Sequence, residues 1–111
     1  MSHEMFDIDE IVKEFVKESH FDFVGLWEIS SVVRRELGAK TEDVRHLSLE
    51  IVQQLYTRGL RPGDYNLGAR IDYWPDEGCQ AVIERIEREW IAAGEDPNLA
   101  EPICWFGLGP K

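Results

Sequence analysis

His46 is the histidine best placed for acid–base chemistry: Asp43 lies three residues before it and Glu50 four residues after. On a helix that spacing puts all three on one face, where a carboxylate could orient the imidazole. It is also the ordinary pattern of a solvated helix face. The sequence favours that plainer reading, because His3 and His20 share no ligand spacing with His46. Cys79 and Cys104 have no CxxC neighbour and no clustered histidine, so a metal site has no support and two reduced thiols are expected. Asp72, Asp76 and Glu77 surround Trp74 and could face a cation, but the calcium-loop spacing is missing and Asp76 reads better as a helix cap. GxSxG, HExxH and phosphate-loop patterns do not occur. The expectation is a protein that is not an enzyme, with no cofactor and no metal.

The elements that must position any site follow from periodicity and caps. Asp7 is an N-cap with Glu10 at capping-box spacing, and Phe6 and Ile11 sit where a hydrophobic staple would form. Ile8, Ile11, Val12 and Phe15 give the first helix one apolar face. A second helix runs from about Phe23 or Val24 to Leu37, capped by Asp22 and stopped at Gly38. A third starts after an N-cap at Thr41, is continuous or broken near Leu47–Ser48, and ends at Gly59 with Leu60 touching Leu55. Arg61-Pro62-Gly63-Asp64 reads as a turn, and residues 69–74 as a strand. Asp76 then caps a fourth helix that stops at Gly94, and residues 103–108 form a short apolar strand. The two strands are expected to pair antiparallel, since lone strands are unstable.

Charge narrows the partner. The chain has 111 residues and a net charge of -10. Residues 1–22 hold seven acids and two bases, residues 76–101 hold eight and two, and residues 23–75 hold seven of each. One domain covers 1–111, with acidic helical segments at 1–22 and 76–101 around a neutral centre. The opening MSHEMFDIDE lacks the basic and apolar parts of a signal peptide. No apolar run approaches the roughly 20 residues that span a bilayer. A cytoplasmic protein without a membrane contact is expected.

The order helix, helix, "EIVQQLYTRGLRPGDY", strand, later strand resembles a winged helix over about 23–75 plus 103–108. The resemblance implies an α+β fold: four helices and a small two-stranded sheet, with a helix inserted between the wing strands. The chain also resembles small acidic bacterial proteins carrying a "VGLWEI…VRREL" phrase, a likeness to which no activity attaches.

Two functions compete. A winged helix implies a DNA-binding regulator, with Gln53 and Gln54 reading base edges and Arg34, Arg35, Lys40, Arg45, Arg58, Arg61 and Arg70 meeting phosphates. Both acidic flanks oppose that approach. The favoured expectation is a protein-binding module for a basic partner, in its sharpest form an immunity or antitoxin-type protein. Its contact residues would be Asp9, Glu10, Glu14 and Glu18 on the first helix and Glu84 and Glu87 on the fourth. The protein would be a monomer, or a homodimer through the apolar tail Ile103–Phe106.

Overall fold

The computed structural model describes residues 7–66 and 70–109. Its first helix, α1 (Ile8–Glu18), starts where a cap allows: Asp7 is extended and its side chain accepts the Glu10 N–H at 2.9 Å. Ile11, Val12 and Phe15 bury its apolar face. The staple expected from Phe6 lies outside the described residues.

After a tight turn the chain does not enter the second helix at once. Val24 and Gly25 form a two-residue strand, β1, and α2 (Leu26–Glu36) begins only after it. Pairing overrides helical pattern here: Val24 and Gly25 lie opposite Phe106 and Trp105, and the Leu26 N–H bonds the Cys104 carbonyl at 3.1 Å. The cap is Gly25, not Asp22, and Gly38 after the helix is left-handed as expected (φ +61).

The third helix, α3 (Thr41–Thr57), is continuous and capped by Lys40 rather than Thr41. It ends as its sequence requires. Gly59 takes φ +101, the Leu60 N–H reaches the Leu55 carbonyl at 3.0 Å, and the Gly59 N–H reaches Tyr56. These are the paired bonds of a Schellman motif.

The expected turn at Arg61-Pro62-Gly63-Asp64 is instead the start of β2 (Arg61–Asn66), which pairs with β3 (Arg70–Tyr73). Pro62 is tolerated because it stands at the end of that ladder. Its carbonyl accepts the Trp74 N–H at 3.0 Å, so only the bond of its own missing N–H is forgone. Gly63 is required by space, since a Cβ there would run into Ile71 and the Asp72 carbonyl. Helix α4 (Cys79–Ala93) follows, capped by Gly78 rather than Asp76 and closed by left-handed Gly94. The chain ends in β4 (Trp105–Gly107).

The architecture is α+β, with four helices and one antiparallel sheet in the order β1-β4-β2-β3. This corrects three expectations. The sheet has four strands, not two. The strands at 70–73 and 105–107 are not partners, because β2 lies between them. Helix α4 therefore follows a complete β2–β3 hairpin and does not split a two-stranded wing. The strand missed at 61–66 carries two turn-forming residues, and pairing on both of its sides outweighs their local preference.

Helix α3 packs against α1, α2 and α4. Side chains alternate across the sheet. Val24, Phe106 and Pro62 occupy one row and are buried, with Val24 and Phe106 joining Leu26, Ile29, Ile51, Leu55 and Ile86 in the main core. The next row, Gly25, Trp105, Gly63 and Tyr73, turns to the opposite face. Among the described residues no helix is long and apolar enough to cross a membrane.

Candidate functional site

The turn after α1 gathers carboxylates from three elements. The Phe21 and Asp22 N–H groups bond back to the Glu18 carbonyl at 2.9 and 3.0 Å, folding residue 22 against the last turn of α1. The Asp22 side chain accepts the Phe23 N–H at 2.8 Å, which sets the chain toward β1. In the first turn of α2, Glu28 reaches back to cap the Gly25 N–H at 2.8 Å. Glu18, Asp22 and Glu28 therefore converge.

Their proximity shows in Glu18, whose pKa is raised from an ordinary 4.5 to about 6. Partial burial is the first cause, followed by the Glu28 charge and hydrogen bond and then the Asp22 charge. Among the described residues no lysine or arginine pairs with any of the three. Among the described residues the cluster is an anionic centre without an ion-paired counter-charge.

Beside it lies a groove of about 420 Å³ between α1 and α2. Ile11, Phe15, Phe21 and Val32 make it apolar, and Glu14, Lys17, Glu18, Arg35 and Glu36 rim it. Phe21 is 85% exposed, an unusual position for a large apolar ring. An apolar trough with an acidic end can accept apolar side chains and one or two cations.

The residues singled out from sequence divide here. Glu14 and Glu18 line the groove. Asp9 and Glu10 are exposed on α1, with Glu10 paired to Lys13 at 3.8 Å. Glu84 and Glu87 do not reach the groove. Glu84 accepts from Gln80 at 3.0 Å, and Glu87 pairs with Arg45 of α3 at 3.7 Å. Asp22 and Glu28 were missed as site residues. Glu28 was findable, because it stands three residues after Gly25 at capping-box spacing.

The remaining chemistry-bearing side chains are mostly committed. His46, Asp43 and Glu50 are all exposed on α3. Arg34 pairs with Asp96 at 3.1 Å, and Arg61 pairs with Asp76 at 3.2 Å while its guanidinium covers the Tyr56 ring. Asp76 also accepts from the Tyr56 hydroxyl and the Gly78 N–H. The Tyr56 bond first, then those of Gly78 and Arg61, hold its carboxyl below the usual range. Asp76 thus ties α3 to the loop before α4 instead of capping that helix. Both cysteines are free thiols. Burial pushes the Cys104 thiol well up and the Cys79 thiol up less.

No family model, curated protein or solved structure matches the chain.

Proposed function

We propose that this is a non-enzymatic binding module that captures a basic protein partner at the α1–α2 groove, acting as an immunity or antitoxin-type mask. One observation carries the reading: Glu18, Asp22 and Glu28 meet beside an apolar trough, and among the described residues no lysine or arginine forms an ion pair with them. A partner's lysine or arginine entering the cluster would meet charges that repel one another in its absence. Complementary charge of this kind accelerates association and rejects acidic competitors. The net charge of -10 extends the same attraction beyond the contact itself.

The winged-helix regulator is the weaker reading. Its candidate recognition helix α3 packs against three other helices, and Arg34, Arg45 and Arg61, three of the bases it would need, are held in ion pairs with acids.

The test is a titration of the labelled protein with a synthetic amphipathic helix bearing leucines on one face and arginines on the other, followed by NMR. Shifts are expected at Phe15, Glu18, Phe21 and Glu28, with affinity falling as salt rises. Glu18→Gln with Glu28→Gln should weaken binding about tenfold, the scale of two partly exposed charge contacts. Glu84→Lys with Glu87→Lys should alter it far less. Shifts confined to α3, matched by duplex DNA at low salt, would replace this proposal with the regulator.

A further inference from the structure

The outer face of the sheet carries a second surface, made of rings laid over glycine. Phe23 and Tyr65 meet edge-on with centroids 5.9 Å apart, and Tyr65 and Trp105 meet at 5.4 Å. A Cβ on Gly25 would lie 2.6 Å from the Trp27 ring and 3.1 Å from Trp105. A Cβ on Gly107 would strike the Tyr73 hydroxyl and come within 3.3 Å of Phe23. The glycines leave the space that these rings occupy. Beneath them Ile71 is buried, yet it belongs to no part of the main helical core.

Tyr65 remains 50% exposed, and Phe23, Trp27, Tyr73 and Trp105 are half-buried. At one end the band joins the carboxylates, because Asp22 precedes Phe23 and Glu28 caps Gly25 beneath Trp27 and Trp105.

We propose that this ring-covered face, ended by the Glu18–Asp22–Glu28 cluster, binds a proline-rich segment with a flanking arginine or lysine. The proposal rests on the basic-partner reading for the flanking cation and goes beyond it in naming the backbone and surface. Three features select that occupant. Strand β4 is hydrogen-bonded on both edges, so a ligand over it cannot add a strand and must be held through rings. A polyproline II segment needs no backbone pairing within itself and docks its pyrrolidine rings on aromatic surfaces at low entropic cost. The carboxylates, which form no ion pair among the described residues, complement a cation at one end of the segment, and the same negative charge opposes both a polynucleotide and a second copy of this chain.

The full chain is titrated with two 12-residue peptides ending in arginines, one with proline at every third position and one with each proline changed to alanine. Tryptophan fluorescence and NMR report the contact. The proline peptide is expected to move Phe23, Tyr65 and Trp105 signals. Tyr65→Ala, whose ring is half exposed, is expected to keep the fold by circular dichroism and to weaken the peptide roughly tenfold, as loss of an aromatic anchor does. Equal binding of the alanine peptide would overturn the proline assignment and leave the cation site standing. A proline peptide that moves no ring while the leucine–arginine helix still fills the groove would overturn this proposal alone. Failure of every cationic peptide would overturn both. Oligouridylate shifting the same rings, or concentration-dependent broadening of them without ligand, would replace the occupant with a nucleic acid or a second copy.

Discussion

Glu18→Gln should make this protein more stable at neutral pH and leave it unchanged in acid. The carboxyl's pKa rises from 4.5 to about 6 on folding, so its charge is less welcome in the folded chain than in the unfolded one. Below pH 4.5 both states hold the proton and nothing is lost. Between 4.5 and 6 the unfolded chain ionises first and stability falls, and above 6 the cost is constant. At about 1.4 kcal/mol for each pH unit of that gap, the full cost is about 2 kcal/mol. Glu18 is only half-buried, and solvent screening lowers this to ~1 kcal/mol. Glutamine keeps the shape and a hydrogen bond toward Glu28 while removing the charge. The variant should therefore gain ~1 kcal/mol at pH 7.5, or roughly 4 °C in Tm, and match the wild type at pH 4. Urea unfolding of both proteins across that range reads the difference directly. A variant no more stable at pH 7.5 than at pH 4, relative to wild type, would show that neither burial nor the neighbouring carboxylates disfavour the Glu18 charge in the folded chain. Under the proposed function the same substitution should weaken a basic ligand.

Three further outcomes follow from the packing. Phe106→Ala empties a fully buried site between sheet and helices and should cost about 3–5 kcal/mol by chemical denaturation. Gly59→Ala meets no neighbour within 4 Å, so its whole effect is backbone strain at φ +101; a loss of about 1 kcal/mol with unchanged spectra is expected. A thiol reagent should label half-buried Cys79 in the native protein and reach buried Cys104 only on unfolding, so two equally fast thiols would refute the packing around β4.

Much of the helical framework could be read in advance because its determinants are local. Asp7 caps α1, and Gly59, Leu60 and Leu55 write the end of α3 within six residues. The strands were less legible for an opposite reason. Pro62 and Gly63 signal a turn to any local reading, and two residues at 24–25 are too short to signal anything. Each becomes a strand through partners outside its own segment: the distant Phe106 and Trp105 for β1, and for β2 the hairpin partner β3 on one side and the distant β4 on the other.

The candidate site divides in the same way. Charge excess on α1, the amphipathic face containing Phe15 and the surplus of tryptophan are properties of composition and period, and the sequence alone determines them. Tertiary structure decided which carboxylates act together. Glu18, Asp22 and Glu28 meet because a tight turn and a two-residue strand bring α2 back beside α1. Glu84 and Glu87 look equivalent in sequence but stay out of the groove, with Glu87 neutralised by Arg45. Only the sheet register set Trp105 outward over Gly25 while its neighbour Phe106 went into the core. The reason is the two-residue alternation of a strand: a segment's apolar character is written in its residues, but the face each residue meets is fixed by the partners that pair with it.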